Sequence, residues 1–354
     1  MTESPYEISL AEYRPQPALR VPATRVERPA ARAVDVHNHL GRWLTEWVRP
    51  DGGWMVEDVG ALLALMDSLD LEAIVNLDGR WGAELEANLD RYDRAHPGRF
   101  LTFCHVDWGE PERLVAGLEA SAATGARGLK VWKDLGLGVR DEAGALLLPD
   151  DPRLADVWAA AGALGMPVLI HTADPVAFWS PLDAENERLE ELARHPEWSF
   201  HGPGFPSFER LLEAFEAVVA GHPDTTFIGA HVACCAEDLA WVGRMLDAYP
   251  NLHLDFSARI AELGRQPRAA RRLFVEHVDR VLFGTDVFPP SRQAYETYFR
   301  FLETADEHFS YSPDPANPWP QGRWRISALD LPHDTLGAIY RGNAARLLGL
   351  PSAR

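Results

Sequence analysis

Two histidines two residues apart, His37 and His39 in the run DVHNH, open a set of side chains able to hold a divalent cation. Residues i and i+2 of a β-strand project to one face, so both imidazoles point the same way. An imidazole pair suits zinc, with manganese as an alternative. His171 ends the apolar run PVLIH, His231 ends TFIGAH, and Asp286 ends RVLFGTD. A divalent ion among such groups lowers the pKa of a bound water from 15.7 toward about 7 and polarises a carbonyl. Asp286 can then receive a proton and pass it to a leaving group. A lone histidine is more often a satisfied core or surface side chain, but five such groups close matching apolar runs. His96, His195 and His222, each before a proline, and His277 in a helical run show no such placement and receive no role.

These residues need a scaffold of parallel strands. Short β-rich runs begin at Ala33, Ala73, Phe100, Gly128, Pro167, Thr226, Leu252 and Arg280. Between them lie longer runs, such as SFERLLEAFEAVVAGH, whose apolar residues recur at three- and four-residue spacing and predict helices. Eight strand-helix pairs predict an α/β fold of the (β/α)8 TIM-barrel type rather than an open doubly wound sheet, and no G-x-G-x-x-G follows the first strand. Residues 1–32 carry five prolines without sustained periodicity, which predicts an N-terminal extended arm, with one barrel domain over 33–354. Long loops are expected at 40–55 and, after the fifth strand, at 173–206. The carboxyl ends of barrel strands converge above one cavity, and that is where the candidate residues fall.

Composition narrows the function classes. With 354 residues, 46% hydrophobic and 25% charged, the chain can bury a sizeable core. Its net charge of -19 repels phosphate backbones and anionic lipid surfaces, so neither nucleic acid nor a membrane is an expected partner. Three cysteines, two of them adjacent, give no even disulfide framework and fit a reducing compartment. The first residues show no basic and apolar leader pattern, and no run approaches a membrane span, so a cytoplasmic location is expected. Lys130 and Lys133 are the only lysines, and both lie in GLKVWKD.

DVHNH on the first strand, histidines closing the fifth and sixth, and FGTD on the eighth resemble the amidohydrolase superfamily. LPHDTLGAIYRGNAARLLGL is similar to the closing helix of its amidohydrolase-related branch, which holds decarboxylases, lactonases and hydrolases. The resemblance spans Val34 to Leu350. It implies that His37, His39, His171 and Asp286 are metal ligands, and that His231 acts on a metal-bound water or binds a second ion. Two-ion members often bridge their metals with a carboxylated lysine at the end of the fourth strand, the position of Lys130. Trp132 and Lys133 depart from the residues found beside that bridge, so Lys130 stays open between bridge, substrate-binding or ligand-orienting group, and structural residue.

Arg259, in DFSARIAELGRQP, is placed to clamp a substrate carboxylate. Trp179 and His201, with Phe178 and Trp198, are candidates in the long fifth loop to cover a planar substrate. The leading expectation is hydrolysis of an amide, cyclic amide or lactone in a small organic acid, with one or two ions. The alternative is non-oxidative decarboxylation on the same scaffold, and a non-catalytic binding barrel is the reading from another class. The arm gives a possible contact for a homodimer.

Overall fold

The computed structural model describes residues 7–10, 12–45 and 52–351. Eight parallel strands follow in order: β1 (Ala33–Asn38), β2 (Leu71–Asn76), β3 (Phe100–Thr102), β4 (Leu129–Val131), β5 (Val168–Ile170), β6 (Phe227–Gly229), β7 (Leu252–Asp255) and β8 (Val281–Leu282). Each pairs with the next within β1–β3 and within β4–β8. Main-chain bonds close both seams. Cys104 N donates to Gly128 O at 2.9 Å and Lys130 N to Cys104 O at 2.7 Å, while Val36 N reaches Phe283 O at 2.9 Å and Asp286 N reaches His37 O at 2.8 Å. The fold is a TIM barrel.

A helix follows every strand: α1 (Val59–Ser68), α2 (Gly82–Leu89), α3 (Leu114–Thr124), α4 (Ala155–Ala163), α5 (Phe208–Gly221), α6 (Leu239–Ala248), α7 (Pro267–Glu276) and α8 (Arg292–Glu303). Asp58, Ser207 and Asp238 cap α1, α5 and α6 by accepting from first-turn amides that otherwise lack partners. The buried stripe of α5, Phe208, Leu211, Leu212, Phe215, Val218 and Val219, keeps helical spacing and packs against the strands. Inside the barrel, Val34, Val36, Ala73, Val75, Leu169, Ile228 and Leu282 form one cluster with Ala344 and Leu348 of the C-terminal helical segment. That segment plugs the end away from the candidate residues.

The strands are shorter than the apolar runs that announced them. β5 stops at Ile170 and β6 at Gly229, so His171 and His231 stand just beyond the ladder, and Asp286 lies four residues past Leu282. At the rim the backbone leaves the sheet to turn side chains over the cavity. The 173–206 loop is not bare, since it contains a short helix, Leu189–Arg194. Of the 40–55 loop, residues 46–51 lie outside the described residues. Residues 12–32 carry no regular element and run beside α8: Thr24 N donates to Asp306 at 2.7 Å and Ala30 N to Glu303 at 2.9 Å. Among the described residues no helix is long and apolar enough to cross a membrane.

Gly79 marks a close approach between the β2 and β3 ends. A Cβ there would lie 2.3 Å from the Phe103 carbonyl oxygen and 2.8 Å from Thr102 Cγ2. Gly79→Ala is expected to lower unfolding stability by about 1–3 kcal/mol, read from the denaturant midpoint. An unchanged midpoint would show that these strand ends do not pack this tightly.

Candidate metal centre and cavity

The bulk of the site hangs on carboxylates placed behind imidazoles. His37 Nδ1 is 2.9 Å from Asp255 Oδ2, and His39 Nδ1 is 2.6 Å from Asp78 Oδ1, with all four side chains buried. Each pairing holds the Nδ1 proton and leaves Nε2 as a lone-pair donor. Among the described residues neither Nε2 has a hydrogen-bond partner, and Asp286 Oδ1, both nitrogens of His171 and Lys130 Nζ are likewise buried without one. His37 Nε2 lies 3.9 Å and His39 Nε2 3.6 Å from Asp286 Oδ1, and His231 Nε2 is 4.0 Å from Asp286 Oδ2. One donor atom each from His37, His231 and Asp286 falls within 4.8 Å of the others. Ligand atoms about 2.1 Å from a tetrahedral zinc stand roughly 3.4 Å apart, so this spacing fits a divalent ion with slight contraction. Buried donors left unpaired at such spacing are costly unless something cationic joins them.

His171 adjoins this group, its ring centroid 4.4 Å from that of His231. Its Nε2 is 3.3 Å from Asp174 Oδ1, without hydrogen-bond geometry. Burial drags the His171 pKa down to about 3, against partial opposition from Asp174, and pushes that of His231 well below its usual range. Both rings are thus neutral donors near pH 7. Burial alone would raise the Asp174 carboxyl, but the Lys133 ammonium paired with it and His171 outweigh burial and hold it below its usual range. Lys130 sits on β4 with its ammonium wholly buried, and burial brings its pKa to about 8 despite the charges of Asp286 and Asp255.

Backbone strain concentrates here. His231, Val232, Ala233 and Cys234 are consecutive left-handed residues, with φ of 57, 62, 54 and 60°, and Asp286 has φ 55°. Such conformations cost about 1–3 kcal/mol each and persist where surroundings enforce them. His231 is fixed by its N–H to Asp255 Oδ1 at 3.1 Å and by Nδ1 to the Ser257 carbonyl at 2.8 Å. The Ser257 hydroxyl donates to Asp255 Oδ1 at 2.6 Å. Asp255 therefore serves His37 and His231 together.

Above these groups opens a cavity of about 530 Å³ with Trp132, Phe178, Trp198 and Phe288 among its walls and His171, His231 and Asp286 toward its floor. Arg259 lines it, 6% exposed, and its Nη1 donates to Ala258 O at 3.0 Å. Among the described residues no carboxylate lies within ion-pair distance of Arg259.

Two expected lid residues are elsewhere. Trp179 bonds the Pro206 carbonyl at 2.9 Å and faces a separate surface depression, and His201 is exposed, with Nδ1 on the Trp179 carbonyl at 2.9 Å. Tight aromatic packing of Trp179 against Phe200 and Phe208 turns both away from the cavity. His195, given no role from its sequence context, does line the cavity and stacks on Trp198 with centroids 4.0 Å apart. Arg265 pairs at the surface with Glu187. Asp78, Asp174, Asp255, Arg188 and Glu191 had no sequence signal beyond the position of Asp255 at the end of a strand run.

Residues 34–350 match the sequence family described as Amidohydrolase. Among solved structures, an uncharacterised TIM-barrel protein of Bordetella bronchiseptica is similar at TM-score 0.57 and 16% identity, covering 90% of this chain and 98% of that one. A 2,6-dihydroxybenzoate decarboxylase from Rhizobium gives TM-score 0.56 and 18% identity over 90% and 99%. An amidohydrolase of Burkholderia multivorans with bound zinc gives 0.53 and 18% over 91% and 100%. At these identities the likeness is one of fold. A curated protein named S-adenosylmethionine:tRNA ribosyltransferase-isomerase, from Acidithiobacillus ferrooxidans (strain ATCC 53993 / BNL-5-31), is 30% identical over 215 residues, 61% of this chain; the match spans only 56% of that protein.

Two outcomes test the site. Asp255→Asn is expected to weaken zinc affinity about 10- to 100-fold in a competition titration, because the imidazole it orients is freed. Unchanged affinity would remove Asp255 from the site. In chelated protein, His171 is neutral when folded but has an ordinary pKa of 6.5 when unfolded. Stability from this group is therefore whole above pH 6.5 and lost as pH falls toward about 3. The melting temperature should drop across that interval, and less steeply in His171→Asn. Equal slopes would contradict the burial argument.

Proposed function

The chain belongs to the amidohydrolase family, and on that premise we propose that it is a divalent-metal-dependent hydrolase of a C–N or C–O bond in a small carboxylic acid. The observation that carries this reading is the set of unpartnered donors, His37 Nε2, His39 Nε2 and Asp286 Oδ1, below a cavity whose wall holds Arg259 without a carboxylate partner. His37, His39, His171 and Asp286 would hold the ion, zinc in the first instance. When bound, it would supply Lewis acidity toward water and a substrate carbonyl.

The remaining work belongs to the chain. Arg259 receives the substrate carboxylate, which a planar guanidinium can bind through two parallel bonds. Trp132, Phe178 and Phe288 exclude water from the reacting end and bear on a flat substrate body. His231 is held neutral, with Nδ1 engaged by the Ser257 carbonyl, so its Nε2 is the acceptor for a proton leaving the nucleophile. Asp286 Oδ2, 4.0 Å away, can take that proton and return it to the leaving nitrogen or oxygen. In the two-ion alternative a carboxylated Lys130 and His231 would hold a second ion, and His231 would then not be the proton acceptor; the partly neutral amine that burial creates is the form that reacts with carbon dioxide.

Decarboxylation is the second reading, favoured by the aromatic walls, which suit a planar aromatic acid, and consistent with the fold shared with a 2,6-dihydroxybenzoate decarboxylase. The partial match to a tRNA-directed enzyme supports no proposal of RNA chemistry, since a chain of charge -19 repels the phosphate backbone. We place the protein in the cytoplasm, with the arm as a homodimer contact.

Zinc- or manganese-loaded protein should open lactones or cleave amides of small acids, with no activity after chelation and recovery on readdition. Carbon dioxide release without ring opening would sink hydrolysis in favour of decarboxylation, and activity indifferent to chelator would sink both. Arg259→Met should raise KM about 10- to 100-fold, with a smaller change in kcat, for the loss of charge-assisted bonds. An unchanged KM would place the carboxylate elsewhere.

A further inference from the structure

A second set of polar side chains lines the cavity. Arg188, wholly buried, lies along it and donates from Nη1 to Glu191 Oε2 at 2.6 Å and from Nη2 to Glu262. Among the described residues its Nε has no partner, and neither has Oε2 of Glu262, which is 3% exposed. Gln321 also lines the cavity: its Nε2 donates to Ala258 O at 3.3 Å, while its Oε1 is buried and unpartnered. Beside them Trp324 presents its ring to Arg188 at 5.6 Å, with its Nε1 also unpartnered. This group is separate from the donors around Asp286, and none of it is needed to hold an ion.

Burying one guanidinium with two carboxylates costs several kcal/mol per ion in desolvation, and apolar residues of like volume often serve stability as well or better. Stability is therefore a poor reason for the cluster. Its unsatisfied atoms are mixed, acceptors on Gln321 and Glu262 beside donors on Arg188 and Trp324. Among the described residues the Glu191 side chain accepts only from Arg188, which leaves it further accepting capacity at the cavity wall. An alkyl group would leave these atoms unpaired, and a second carboxylate would face Glu191. A hydroxyl both donates and accepts, so one hydroxyl can meet the Glu191 carboxylate and another the Gln321 amide oxygen. Phe178 and Trp198, near parallel at 17° with centroids 6.3 Å apart, offer apolar faces to the carbon skeleton between.

We infer that Glu191 and Gln321 form a hydroxyl-recognising subsite, so that the acid this cavity takes carries hydroxyl groups besides its carboxylate. Arg188 and Glu262 are positioning residues that hold Glu191 at the wall. The inference rests on the proposed function only in taking this cavity as the substrate site, and it does not depend on which bond is cleaved.

The test is binding, not turnover. Glycerate, threonate, gluconate and galactonate are each titrated against the alkanoate of equal chain length, by calorimetry, with zinc-loaded and with chelator-treated protein. At least one hydroxy acid should bind about tenfold tighter or more than its alkanoate, the worth of one or two hydrogen bonds to a charged group. Gln321→Leu and Glu191→Gln should each erase that preference while leaving alkanoate affinity within about threefold. Gln321→Leu leaves the ion cluster intact and keeps the test readable should Glu191→Gln fold poorly. No preference in any pair, or a preference untouched in Gln321→Leu, would overturn the subsite. Loss of the metal requirement in turnover would count against the proposed function and leave this comparison standing, because the preference is expected in chelated protein too.

Discussion

The imidazole nitrogens of this protein face the cavity because buried carboxylates stand behind them. Asp255 and Asp78 take the Nδ1 sides of His37 and His39, and in a wholly buried setting that choice of tautomer is fixed before any ligand arrives. Burial alone would raise the Asp255 carboxyl. The adjoining His37 imidazole, with hydrogen bonds from His37 and Ser257, instead brings its pKa down to about 2. The same carboxylate accepts the His231 amide and so holds the first residue of a left-handed run that L-residues otherwise avoid. Closure of the barrel between β1 and β8 then sets Asp286 against His37 through one main-chain bond.

Much of this was legible in the sequence. Eight apolar runs with helical spacers specify the barrel, because a strand that is covered on both faces must be apolar throughout, and its first polar residue marks the rim. His171 and His231 were readable as such first residues, Asp286 as the first charged residue after its run, and His37 and His39 by their two-residue spacing. Asp78, Asp174 and Arg188 were not. Asp78 meets His39, Asp174 meets Lys133 and Arg188 meets Glu262, and neither spacing nor residue type announces partners 39 or more residues away.

Loops were the least legible part. Trp179 and His201 looked like lid residues because they share a long aromatic segment after β5, yet packing against Phe200 and Phe208 turns that part outward. His195 looked like a surface residue before a proline, yet the helix Leu189–Arg194 carries it to the cavity wall. Loop side chains are placed by tertiary packing, whose pattern is not periodic. The same holds for the charged cluster around Arg188, which joins the β5 loop to the segment after β7.

The account stands on a cation seated among the unpaired nitrogens. Anomalous diffraction at the zinc edge, on crystals of protein purified without chelator and supplied with zinc, tests this directly. It should give one strong peak within bonding distance of His37 Nε2, His39 Nε2 and the Asp286 carboxylate. No peak there, with waters or new protein hydrogen bonds satisfying those atoms, would contradict it.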